Sequence, residues 1–354
     1  MGQPVKKIDI KGLLKEEFTG EVASLGIERF RTGQILEWVY KRGVCDFEKM
    51  TNLSLGLRQR LKEKFYISDL NLIRQMDSGD GTKKFLFGLE DDNKVETVFI
   101  PSLKTNTVCV SSQVGCKFSC KFCASGKAGF TRNLRPAEMI NQVLYIRGQF
   151  SNRDLRPYRE VSPNVVFMGM GEPLDNYDNV LKAVRVLNAP YGLEIGQRKI
   201  TISTCGLIPE IKRLAQEGLQ IELSISLHSP NNMTRANLMS INKKYPLKDL
   251  MEVCKEYITK TNRQVTFEYV LIKGLNDSQK DAQDLARLLK GLLAKVNLIL
   301  FNPVEGLDYV PPTRDAVKIF KDVLDKKGIV STIRKPRGAD IEAACGQLRL
   351  RYEV

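Results

Sequence analysis

The sequence predicts an α/β protein, a barrel-type parallel sheet preceded by a small helical module. Three observations carry this expectation. The length, 354 residues, suits one large barrel-type domain with an appended unit. From residue 108 onward, short β-branched runs alternate with helical stretches, the pattern of parallel strands joined by crossover helices in a closed or open sheet. Before about residue 75 that alternation is missing, and apolar residues recur at helical spacing instead.

Taken in order, 29–40 places Phe30, Ile35, Leu36, Val39 and Tyr40 near one helical face, and 53–65 repeats the pattern. Residues 1–75 are therefore expected to form a helical accessory module. Gly79 and Gly81 mark a turn, and the alternation at 84–88 and through 95–100 reads as extended chain, so 76–101 is taken as linking strands. Strands are expected at 108–110, 164–168, 199–203, 222–226, 266–271 and 296–301, and helices starting near Pro136, Asn176, Leu207, Pro246 and Ser278. A further helix and strand occupy 313–332, which completes a core of 102–338 followed by a C-terminal segment, 339–354. Gly-rich or polar residues end several strands, at 169–172, 203–206, 226–228 and Asn302. In a barrel these ends share the face on which active sites form.

Hydrophobic residues make up 42% of the chain, enough for a buried core, and no run of about 18 apolar residues suggests a membrane span. No apolar stretch or cleavage site of a secretory signal is recognised near the N-terminus, and a cytoplasmic protein is expected. The formal net charge of +14 favours a polyanionic partner, because each cation that neutralises a phosphate releases counterions. Charge alone is equally compatible with a well-solvated surface. Between Glu96 and Glu138 lie six cations and no acid: Lys104, Lys117, Lys121, Lys127, Arg132 and Arg135. They read either as a funnel for phosphates or as compensation for an anionic cluster.

Eight cysteines in a long chain without an export signal are expected to be reduced, and three of them fall within eight residues. Cys116-Lys-Phe-Ser-Cys120-Lys-Phe-Cys123 offers three thiolates on a loop short enough to wrap one inorganic cube. A four-iron cluster normally takes four cysteines. A set of three leaves one iron open, as a catalytic zinc keeps a free position. The competing reading is structural zinc within a non-enzymatic RNA-binding protein, but tetrahedral zinc wants a fourth ligand and no Cys or His pair lies nearby. Taken singly, Cys45, Cys205 and Cys254 read as small buried hydrophobes.

This spacing, with an aromatic residue before the third cysteine, resembles the signature of the radical S-adenosylmethionine superfamily. The resemblance implies a partial (β/α)6 barrel of TIM type, a [4Fe-4S] cluster on Cys116, Cys120 and Cys123, and a 5'-deoxyadenosyl radical. Further strings narrow it: VETV at 95–98, the segment 109–123, GMGEP at 169–173, SLH at 226–228, FNP at 301–303 and RGADIEAACGQL at 337–348. Together with 30–40 they resemble the RlmN/Cfr family of RNA adenosine methyltransferases over nearly the whole chain.

Carried over residue by residue, the resemblance implies that Cys345 bears a methyl group, that Cys109 is its disulfide partner and that Glu96 is the acid/base residue. Gly171 and Glu172 would contact the amino group of S-adenosylmethionine; Ser203, Ser226, Leu227, His228 and Asn302 would line the rest of its site. Two molecules of this cofactor would be used per turnover. The implied substrates are an adenosine in the peptidyl-transferase centre of 23S rRNA and the adenosine following the tRNA anticodon, methylated at C2. An electron donor and a thiol reductant would serve the cycle. GEP at 171–173, QVG at 113–115 and RKPRG at 334–338 resemble the C2 branch, whereas Ser229 and Cys205 depart from its common strings and keep the C8 alternative open.

Overall fold

The computed structural model describes residues 7–127, 129–150 and 162–348; the end of the expected C-terminal segment, 349–354, lies outside them. The helical module comprises α1 (Lys15–Ser24), α2 (Arg31–Leu36), which runs on into one π-turn at Glu37–Lys41, and α3 (Leu55–Lys64). Two short strands, β1 (Ile8–Asp9) and β2 (Phe65–Tyr66), pair in parallel and close the module on itself. Phe18 and Phe65 meet edge to face inside it, their ring centres 5.3 Å apart.

The expected helix over the last part of 1–75 gives way to strand. β3 (Asn71–Asp77), β4 (Lys83–Gly88) and β5 (Lys94–Ile100) form an antiparallel meander that joins the main sheet through β6 (Thr107–Cys109). β3 is the outermost strand and is largely exposed, so no apolar alternation betrays it in the sequence.

A β-hairpin, β7 (Gln113–Gly115) and β8 (Phe130–Asn133), flanks the single-turn α4 (Ala124–Lys127). Helix α5 (Pro136–Phe150) then leads to β9 (Asn164–Phe167), α6 (Tyr177–Asn188) to β10 (Ile200–Thr204), and α7 (Ile208–Leu214) to β11 (Glu222–Ser226). Two helices, α8 (Asn232–Leu238) and α9 (Leu247–Thr261), precede β12 (Val265–Leu271); α10 (Gln279–Leu289), β13 (Ala294–Leu300), α11 (Arg314–Lys326) and β14 (Ser331–Arg334) complete the order. Strands β6, β9, β10, β11, β12, β13 and β14 are parallel neighbours in that sequence. The first six each lead into helix, which makes the expected partial (β/α)6 barrel, and β14 adds a seventh parallel strand.

The helix starts follow from the sequence. Ser278 caps α10 with a reciprocal capping box to Asp281, and Thr313 caps α11 by accepting from Ala316 N at 3.2 Å. Strands β9 to β13 bury Val, Ile, Leu or Phe on their outer face against these helices: Val165, Phe167, Ile200, Ile202, Leu223, Ile225, Phe267 and Leu298. The inner face is polar. One row runs Ser226, Glu268, Asn297, Thr332 across four strands. A barrel whose inner surface is polar has a lumen built to hold something, not to fill a core.

The module sits on the barrel. Lys11, buried, donates to Ser68 O at 2.8 Å and to Asn141 Oδ1 of α5 at 2.7 Å, and Lys182 of α6 pairs with Glu17 at 2.9 Å. Among the described residues, no helix is long and apolar enough to cross a membrane.

Candidate active site

The three-cysteine loop hangs between β7 and α4. Cys116 N donates to Gly129 O at 2.7 Å and Cys123 N to Cys120 O at 3.1 Å. Gly115 has φ +74, and a Cβ there would fall onto the Gly129 carbonyl oxygen, so the hairpin entry admits only glycine. The far side of the loop is held by Lys121 N on Leu238 O (3.0 Å) and Ser240 Oγ on Phe118 O (3.1 Å). Cys116, Cys120 and Cys123 all face one cavity at the carboxyl ends of the barrel strands.

Burial pushes the Cys116 thiol up to about 12 and also raises Cys120 well above the usual thiol range, with the neighbouring cysteines and Glu172 adding to both. These thiols are neutral until a cation claims them, and a metal centre displaces the proton outright. Among the described residues, no three His, Cys, Asp or Glu side chains make a ready single-ion site. His228 is not a ready fourth ligand: its Nδ1 accepts from Val270 N at 3.0 Å and its ring stands edge-on to Phe122, 4.7 Å away. Three soft sulfur donors in one wall of a large cavity suit a three-thiolate inorganic cluster.

The Gly-rich end of β9 forms another part of the cavity wall. Gly171 has φ +98, and a Cβ on it would lie 2.5 Å from Gln113 Cβ. Gly171→Ala is expected to destabilise the protein by about 2–4 kcal/mol, through left-handed strain and overpacking together. Thermal unfolding measures this; an unchanged transition would show that the segment can move aside. The close approach lets Gln113 Oε1 accept from Glu172 N at 2.8 Å. The buried Glu172 carboxylate then accepts from Leu174 N (3.1 Å) and Cys205 N (2.8 Å), and burial raises its pKa despite these donors. A ligand cation arriving beside it would relieve that cost.

Ser203, Ser226, His228 and Asn302 line the same cavity as Gly171 and Glu172. Leu227 does not: it is wholly buried, and its carbonyl accepts from Arg235 Nε at 3.1 Å. His228 sits at φ +57, with its pKa lowered to about 3 by burial and by Arg235, so its ring is neutral at working pH.

Cys345 is exposed and lines the cavity. Its segment is stitched to the site by backbone: Ala124 N to Gly346 O (2.7 Å), Ser125 Oγ to Leu348 O (2.6 Å) and Asn302 Nδ2 to Cys345 O (3.2 Å). Cys109 lies beneath that segment, packed with Val98, Met170, Ile341 and Ala343. Burial pushes Cys345 up to about 11 while Arg334 pulls it down; Cys109, more deeply buried, is pushed up to about 12. Glu96 is fully buried on β5, with Oε1 3.2 Å from Lys84 Nζ and Oε2 without a hydrogen-bond partner among the described residues. Desolvation raises its pKa to about 7 against the pull of Lys84. The fold thus brings Cys345 and the three-cysteine loop to one cavity and keeps Cys109 and Glu96 behind the C-terminal segment.

Sequence reasoning missed several charged residues here. Glu268 accepts from Ser224 Oγ (3.2 Å) and Asn297 Nδ2 (3.0 Å) with Oε1, while Oε2 stands 3.8 Å from Arg334 Nη1; both side chains line the cavity. Arg235, fully buried, binds the carbonyls of Cys205, Ser226 and Leu227 and so joins the ends of β10 and β11 to α8. For Glu268 and Arg334 a charge inside a strand pattern was the available signal; Arg235, on α8, carried none. The expected basic funnel divides: Arg132 and Arg135 are spent on Glu90, Asp91 and Glu138, and Lys117 pairs with Asp175. Compensation of an anionic cluster therefore accounts for half of the six cations.

Comparison with known proteins is consistent across the chain. Residues 110–288 match the family model of the radical SAM superfamily, and residues 8–67 that of the ribosomal RNA large subunit methyltransferase N-terminal domain. The chain is 48% identical to the probable dual-specificity RNA methyltransferase RlmN of Caldanaerobacter subterraneus subsp. tengcongensis, over 97% of this chain and 98% of the relative. A Thermoanaerobacter relative of the same description is 46% identical over the same shares. A crystal structure of a radical SAM methyltransferase from Sphaerobacter thermophilus superposes with a TM-score of 0.90 at 42% identity, covering 97% of this chain and 99% of that one.

Proposed function

Since the chain belongs to the RlmN family of radical S-adenosylmethionine RNA methyltransferases, we propose that it methylates C2 of one adenosine in 23S rRNA and of the adenosine following the tRNA anticodon, through a methyl group carried on Cys345. The observation that supports this reading is the tie between the two reactive elements: Ala124, next to Cys123, hydrogen-bonds Gly346, next to Cys345. Cys116, Cys120 and Cys123 would hold a [4Fe-4S] cluster, which together with S-adenosylmethionine supplies a carbon-centred radical when bound. Gly171, Glu172, Ser203, Ser226, His228 and Asn302 would hold the nucleotide, with Leu227 behind them as a packing residue.

C2 of adenine lies between two ring nitrogens and is a poor nucleophile, so direct polar transfer to it is unfavourable. Cys345 Sγ is a far better one, provided it loses its proton. Arg334 favours the thiolate, and the positive charge of a sulfonium entering the cavity would act in the same direction. After hydrogen removal from the S-methyl group, the methyl carbon bonds to C2 and joins Cys345 to RNA. Glu96, whose pKa near 7 suits a general base at neutral pH, takes the C2 proton. The one electron left over from radical addition passes to a one-electron acceptor, Cys109 as thiolate attacks Cys345 Sγ, the bond from that sulfur to the methylene carbon breaks, the carbon takes a proton and leaves with the base as a methyl group, and a Cys109–Cys345 disulfide remains. A thiol reductant must reopen it before the next turnover, and a protein electron donor must serve the cluster. Two S-adenosylmethionine molecules are used per methyl transferred. The adenosine must be unstacked to enter, which favours RNA loops, and the N-terminal module would help to grip them.

The test is an assay of the reconstituted protein with methyl-labelled cofactor on 23S rRNA and on tRNA, followed by mass spectrometry of the digested RNA. Label in 2-methyladenosine from both RNAs is expected. Product at C8 alone would replace this reading with the C8 one.

A further inference from the structure

We propose that Lys84 is a positioning residue of the RNA-release step, one buried ammonium that holds both the Glu96 carboxylate and the backbone of the segment carrying Cys345. The proposal rests on the reading of Glu96 as the base.

The sheet register puts the parts together. Lys84 faces Val98 across β4 and β5, Leu86 faces Glu96, and Val98 faces Cys109 on β6. Paired residues, and residues two apart on a strand, share a face. Lys84, Glu96, Val98 and Cys109 are therefore one patch on the inner surface, and the C-terminal segment lies over it through Ile341 and Ala343. Lys84 is 3% exposed. Its Nζ is 3.2 Å from Glu96 Oε1 and donates to Glu342 O at 3.2 Å, three residues before Cys345.

A lysine this deep is rare without a partner, and the pair as a whole adds little stability that two apolar side chains could not supply. Its value is positional. The groups facing the Glu96 carboxylate are Lys84 from β4, Glu342 from the C-terminal segment and Cys109 on the same face of β6; Ser111 Oγ occupies the Glu96 carbonyl at 2.5 Å. Lys84 is the cation among them. Desolvation and Glu342 favour the protonated carboxyl, and Lys84 alone opposes both. Removing its charge leaves Glu96 protonated to higher pH, so release of RNA would need more alkaline solution. Methylation of Cys345, which does not use Glu96, would be spared.

The experiment compares the reconstituted full-length wild type with Lys84→Met, Lys84→Gln, Lys84→Arg and Glu96→Gln. Mass spectrometry follows methylation of Cys345, and denaturing gels follow decay of the protein–RNA adduct between roughly pH 6 and 9. Lys84→Met should methylate Cys345 at close to the wild-type rate yet release RNA at least about tenfold more slowly at pH 7, with the rising limb displaced upward by about one unit or more. Lys84→Gln, which keeps a donor for Glu342 O without the charge, should show the same displacement if Lys84→Met folds poorly. Lys84→Arg should return the limb toward wild type. A wild-type limb in both neutral variants, or slowing by the same factor at every pH, would reduce Lys84 to a packing role and overturn the proposal. Release by Glu96→Gln at the wild-type rate would instead overturn the reading of Glu96 itself, whatever Lys84 does.

Discussion

Cys345→Ala is expected to abolish RNA methylation on both substrates while leaving the protein folded and able to bind its cofactors. The effect is total because the side chain would be a covalent carrier, and removing the only atom that accepts the methyl group leaves no slower route to C2. The fold is spared for a separate reason. The hydrogen bonds around Cys345, from Asn302, Ala124 and Ser125, are accepted by backbone carbonyls of Cys345, Gly346 and Leu348 and none uses the cysteine side chain, which lines the cavity. Loss of one sulfur from such a place costs about 1 kcal/mol or less. The check is label transferred to RNA alongside iron and sulfide content and the thermal transition. Methylated RNA from the variant would end the carrier role of Cys345.

Cys109→Ala is expected to stop one step later and to trap enzyme joined to RNA. Cys109 is packed among Val98, Met170, Ile341 and Ala343, so alanine leaves only a small cavity, about 1 kcal/mol at most. Methylation of Cys345 and bond formation to the base do not involve it. Without its thiolate nothing attacks Cys345 Sγ, and the adduct persists as a band on a denaturing gel that ribonuclease shifts back. In the wild type the same attack should quicken with rising pH, because burial holds the Cys109 thiol up near 12 and each unit toward that value increases the thiolate fraction. Normal turnover by the variant, without adduct, would refute the two-cysteine scheme.

The local order of the chain was written in the sequence. Alternating β-branched runs and caps such as Ser278 and Thr313 located the six strands and the helices between them, because caps and apolar periodicity act within a few residues. The spacing of Cys116, Cys120 and Cys123 specified a three-thiolate loop for the same reason: its geometry is local. Even the Gly-rich end of β9 was visible, although why Gly171 must be glycine, the nearness of Gln113 from 58 positions away, was not.

Tertiary structure decided what long-range contact decides. Period-two alternation states that a strand has two unlike faces but not which one turns inward. In this barrel the apolar faces meet the helices and the polar faces meet each other, so Glu268 and Lys84 are buried and Asn297 and Arg334 are partly covered, which the strand pattern alone does not state. Arg132 and Arg135 looked like a funnel until Glu90 and Asp91, some forty residues earlier, came to lie beside them. Spacing by itself specified the three-cysteine loop, whereas Cys109 and Cys345 were singled out only by the resemblance of their strings to the family. Which of them share a cavity, and that Glu96 meets a buried ammonium with a pKa near 7, follows only when folding removes water from around charges that the sequence leaves far apart.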